Sequence, residues 1–168
     1  MPPKEEQQEQ LKNVVDETIR SYLDRLADNA LFYEGLLRRF LREESPTPEE
    51  EATATQALNE IWSLLKRISA LKDAADEGVL TPDKVPTRSE LEKIKEKLME
   101  IFPAERDENF FETLVIWPAE MVAGLLRTKE MTIDELPPLG EIGDIGGSEE
   151  EVFAKFAALK KAINKILR

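Results

Sequence analysis

Residues 110–126 read FFETLVIWPAEMVAGLL. Ten large apolar side chains, Phe110, Phe111, Leu114, Val115, Ile116, Trp117, Met121, Val122, Leu125 and Leu126, fall around most of a helical circumference. A helix that is apolar nearly all round has no face to give to water. Other elements must surround it, which limits the chain to architectures with a central apolar helix. Pro118 lies inside the run, lacks an N–H and crowds the preceding turn, so a kink or break is expected beside Trp117.

The segments available to surround it are amphipathic. Leu11, Val14, Val15, Thr18, Ile19, Tyr22 and Leu26 form one stripe over residues 4–27. Asp28 or Asn29 then offers an N-cap, and Phe32, Tyr33, Leu36, Leu37, Phe40 and Leu41 line a second helix, separate or continuous with the first, that stops before Ser45-Pro46. Thr47, Pro48 and Glu50 open a third helix with a capping box and a proline in its first turn; Leu58, Ile61, Trp62, Leu65 and Ile68 are its apolar stripe and Gly78 its stop. After the linker VLTPDKVP, Thr87 and Glu90 cap a fourth helix that buries Leu91, Ile94, Leu98 and Phe102 and ends at Pro103. A last helix starts at Ser148 with Glu151 as its box partner and carries Val152, Phe156, Leu159, Ile163 and Ile166 on one side. Lys160, Lys161, Lys165 and Arg168 crowd its C-terminal end, where positive charge suits the helix dipole. No run alternates with period two. The expected fold is all-α: a single domain over residues 1–168, a bundle of about six helices around a central apolar helix, with a long Pro/Gly loop before the last helix.

The chain contains no cysteine and no histidine. Disulfides, Cys/His zinc sites, thiol nucleophiles and histidine general bases are therefore excluded, leaving only oxygen donors for a metal. This absence, together with helix signals that agree so consistently, points to a designed or redesigned sequence, with a thermophile's Glu- and Lys-rich protein as the competing reading. A formal charge of −12 opposes binding to nucleic acid or to an anionic membrane surface. In the apolar middle of the chain the longest uncharged stretch is 113–119, far short of the roughly 20 residues of a spanning helix. The N-terminal MPPKEEQQEQ shows neither an apolar core nor Arg-rich amphipathicity, so no targeting signal is read and a cytoplasmic or recombinant soluble protein is expected.

Three places are candidates for something beyond packing. In LGEIGDIGG, residues 139–147, Leu139, Ile142 and Ile145 recur every third position with glycines one place later. The aliphatics are expected to press on the bundle while the glycines allow close backbone approach. A phosphate cradle there is opposed by Glu149, Glu150 and Glu151, and a calcium loop by the missing ligand pattern, so no metal and no cofactor are expected. Arg38 and Arg42 share a helix face and could clamp a carboxylate, although a solvated face balancing Glu43 and Glu44 explains them as well. Gly35, inside a helical pattern, marks either a close helix crossing or a peptide-binding groove. The function expected from these residues is non-catalytic: a structural or protein-binding role whose partner, if any, is a helix or peptide, held by Gly35, Arg38, Arg42, Leu139, Ile142 and Ile145. The alternatives are a carboxylate-based enzyme, a hard-cation-binding protein, or a redesigned natural backbone that keeps its ligand pocket.

Overall fold

The structure is a computed structural model that describes residues 4–130. The expected last helix and the 139–147 loop, with Leu139, Ile142 and Ile145, lie outside the described residues. Among those described, five α-helices, one 3₁₀ turn and one π-helical turn occur with no strand, so the fold is all-α.

The two N-terminal helices expected from sequence are one. Helix α1 spans Lys4–Glu43 without interruption. Its buried residues Leu11, Val15, Ile19, Tyr22, Leu26, Ala30, Tyr33 and Leu37 follow spacings of four, four and three. Eleven residues in three turns is about 3.67 per turn, close to the α-helical 3.6, so the stripe stays on one side of a long helix. Asp28 and Asn29 do not cap anything. The turn they were expected to make is unnecessary because the stripe passes through them in register.

Helix α2, Pro48–Asp76, begins as expected: the Glu50 N–H donates to Thr47 Oγ1 at 3.1 Å, and Glu50 Oε1 accepts from the Thr47 N–H at 2.9 Å. It ends at Gly78, whose φ of +74° reverses the chain while Val79 and Gly78 N–H groups donate to the carbonyls of Ala74 and Ala75. The expected stripe needs one correction. Leu64 is buried, whereas Trp62 is 43% exposed and donates its indole N–H to Glu34 Oε2 at 3.0 Å. An indole satisfied at the surface keeps its polar end wet, which a place in the core would have denied it.

A 3₁₀ turn, Pro82–Lys84, leads to α3, Arg88–Ile101, where Thr87 Oγ1 accepts from the Glu90 N–H as expected. A short α4, Pro103–Glu108, follows, then the π-helical turn Glu112–Ile116 and α5, Trp117–Glu130. Helix α1 packs against α2 on one side and α5 on the other, and α3 completes the layer beyond α2. The second half of the apolar segment is buried as expected, through Val115, Ile116, Ala119, Val122, Leu125 and Leu126. Its central position is nonetheless shared with α1, the longest element, and its first residue, Phe110, faces outward.

Candidate functional site

The described surface carries a markedly apolar depression, a cavity of about 390 Å3 walled by Phe32, Tyr33 and Leu36 of α1, Phe102, Ala104 and Glu105 at the start of α4, and Phe110 and Leu114 beyond it. Phe32 is 56% exposed and Phe110 47%, so this is an open groove. Each wall has a local cause.

On the α4 side, Phe102 is extended and Pro103 opens the helix with the φ it prefers. Six residues later Asn109 adopts a left-handed conformation, φ 57° and ψ 44°, with its N–H on the Glu105 carbonyl at 2.8 Å. This reversal sends two adjacent phenylalanines to opposite destinations. Phe111 goes to the core, edge-on to Tyr33 with ring centroids 5.3 Å apart, while Phe110 is left on the rim. Phe102 is tied back to α1 by an edge contact with Phe40 at 5.8 Å.

Leu114 is placed by Pro118. In a regular helix its carbonyl would receive the N–H of residue 118, which a proline lacks. The backbone answers with a π-helical turn, in which the Trp117 N–H reaches the Glu112 carbonyl, and Asn29 Nδ2 of α1 donates to the freed Leu114 oxygen at 2.7 Å. The kink expected beside Trp117 is thus a π turn immediately before it. Asn29, expected as a helix cap, supplies the missing donor instead.

At the floor of the groove sits Glu105, only 3% exposed. Its Oε2 accepts from the Phe111 N–H at 3.0 Å and its Oε1 from the Tyr33 hydroxyl in a short hydrogen bond. Burial, with the hydrogen bond to this carboxylate and its charge, raises the Tyr33 pKa far above the ordinary phenol range. Tyr33 is therefore a proton donor locked in place, unfit to act as a base.

A second cluster of acids lies on the opposite side of the π turn. Arg88 Nη1 and Nη2 reach Glu112 Oε1 and Glu120 Oε1, each at 2.5 Å; Lys95 lies 3.4 Å from Glu112, and the Trp117 indole donates to Glu112 at 3.1 Å. These acids are engaged by two cations and an indole. Among the described residues no group of three or more Asp, Glu, Cys or His side chains could hold a metal ion.

Of the residues singled out by sequence, Gly35, Arg38 and Arg42 are described, and none of them lines the groove. Arg38 is exposed and pairs with Glu34 at 3.4 Å along α1, and Arg42 is exposed with Glu43 at 3.6 Å. Gly35 is exposed, and a Cβ there would meet no atom within 4 Å, so no close helix crossing requires it. Phe102, Ala104, Glu105 and the Phe110 rim escaped sequence reasoning. The signal is present in FPAERDENF, a proline at one end and an Asn at the other of a six-residue helix, where Pro103 by itself marks a helix stop. No family model matches the chain, and neither the curated proteins nor the solved structures include a match.

Proposed function

We propose that the protein is a non-catalytic helical module that receives a helix or peptide of a partner in the groove between α1 and α4. The observation that carries this reading is the groove itself: two half-exposed phenylalanines among apolar walls, on a backbone tied by the Asn29 and Glu105 hydrogen bonds. Exposed apolar surface of this kind raises the free energy of a monomer in water, and an amphipathic helix lowers it by inserting side chains at positions i, i+3, i+4 and i+7. The absence of histidine and cysteine, and the engagement of Glu105, Glu112 and Glu120 by neighbouring groups, support a role in binding over one in catalysis. The formal charge of −12 favours a protein partner over nucleic acid. The consistency of its helix caps and the lack of both reactive residue types favour a designed or redesigned, soluble chain.

The test is selection of binders from a displayed library of amphipathic helices, followed by titration against the wild type and the Phe32→Asp/Phe110→Asp variant. Binders are expected to lose affinity by at least about tenfold on the variant, the loss of roughly one buried aromatic. Selected helices that bind both proteins equally would overturn the assignment of this groove.

A further inference from the structure

We propose that the groove has an occupant built into the chain, the segment Ser148–Arg168, so that a partner helix must displace it; this rests on the groove being a helix-receiving site. The first argument is an unmatched pair of apolar surfaces. Phe32 and Phe110 are left half exposed by every described element, and Leu31 beside them on α1 is exposed as well. In the sequence of 148–168, Val152, Phe156, Leu159, Ile163 and Ile166 recur at the three- and four-residue spacing that such a groove accepts. Gly35 follows Leu31 and Phe32 by four and three residues on the same face and leaves open space where a side chain would stand, so an incoming backbone can come close.

Charge is the second argument. Residues 148–168 carry five positive charges, all beyond Val152, against three acids, Glu149 to Glu151, at the start, so the segment is +2 and the rest of a chain whose total is −12 sums to −14. On the groove's α4 edge Asp107 and Glu108 are both exposed, Asp107 sharing its charge with Arg106 at 3.9 Å and Glu108 beside it. A basic segment and an acidic body attract across distances of about a Debye length, near 8 Å at physiological salt, before any apolar contact forms.

Reach is the third. Helix α5 ends at Glu130, and the neighbouring Lys129 Nζ lies 2.7 Å from Asp16 of α1. From Asp16 to Phe32 along α1 is about 24 Å at 1.5 Å per residue. The 17 residues 131–147 span up to about 56 Å when extended, so the tether is ample. A tether of this length holds its segment at an effective concentration of about a millimolar, enough for a weak complement to fill the groove.

The cysteine-free chain makes the test clean. A nitroxide attached to Ala158→Cys in the full chain is expected to broaden the NMR signals of Phe32, Leu36 and Phe110, independently of protein concentration, while those of Glu60 and Arg67 stay sharp. Unbroadened groove signals would overturn the proposal, and broadening that vanishes on dilution would assign the contact to a second copy and overturn it too. In a second arm, Phe156→Asp/Ile163→Asp is introduced and a synthetic peptide of residues 148–168 is titrated in trans. Its affinity is expected to rise by about tenfold or more over the unmutated chain as the tethered competitor is removed. Equal affinity for both chains overturns the internal occupant while leaving a helix-receiving groove intact. A broadened groove that binds no added peptide even in the variant leaves the internal occupant standing and removes the partner-binding function.

Discussion

Glu105 and Tyr33 form a unit in which each explains the other. The carboxylate is buried at the base of α4 with two donors, and deleting it strands both a phenol and a backbone N–H away from water. Glu105→Ala is therefore expected to cost about 2–4 kcal/mol in urea unfolding, with Glu105→Gln costing less because its amide oxygen still accepts one of the two bonds. The phenol gives the unit a pH signature. Burial first, then the bond to Glu105 and its charge, raises the native Tyr33 pKa. Its proton contributes stability in full below about pH 10, where both states hold it, and that contribution is lost as pH rises toward the raised native value, because the unfolded chain releases the proton first. Burial raises Tyr22 in the same direction. These are the only two tyrosines of the chain, so the native protein is expected to show less phenolate absorbance at about pH 10.5 than the urea-unfolded chain. Tyr33→Phe should flatten the decline of stability between about pH 9 and pH 11.

The bond from Asn29 to Leu114 joins α1 to the π turn and exists because Pro118 cannot donate. Asn29→Ala is expected to cost about 1–3 kcal/mol by orphaning the Leu114 carbonyl. Pro118→Ala supplies the missing N–H, so the same Asn29→Ala change made in that background should cost less, and a double-mutant cycle measured by denaturant unfolding should show coupling of about 0.5–3 kcal/mol. Equal costs in the two backgrounds would mean that the proline and the asparagine are unrelated. This pair also shows what the sequence could and could not reveal. Thr47 with Glu50, Thr87 with Glu90, and Gly78 were legible because caps depend on residues three or four apart. Pro118 was legible as a disturbance but its remedy was not, because the donor stands 85 residues away. Asn29 was read as a local cap for the same reason: its amide is equally suited to a near or a distant partner, and only the fold decides. The groove was hidden because Phe110 and Phe111 are identical in sequence, and Asn109's left-handed turn alone separates rim from core.

For the whole molecule, the contrast between Leu125 and Leu114 tests where the interior ends. Leu125 is fully buried and Leu125→Ala should leave a cavity and cost about 2–5 kcal/mol, whereas Leu114, a groove wall, should cost distinctly less as alanine. Comparable costs would place Leu114 under as much cover as the core, the result expected where the groove is filled by the chain's own last segment. The interior itself depends on contacts between the two ends of the described chain: α1 packs on α2 soon after it in sequence, and also on the π turn and on α5 far from it, with Lys129 against Asp16. During synthesis these flanks are completed at different times. The 54 residues from Asp76 to Glu130 take about 3–11 s to polymerise at about 5–20 residues per second, whereas a helix forms within about a microsecond. A nascent α1–α2 hairpin therefore waits for seconds before α5 reaches α1. The docking of α5 is timed by translation, and a pause between α3 and α5 would lengthen the interval in which the growing chain is open to chaperones and to aggregation.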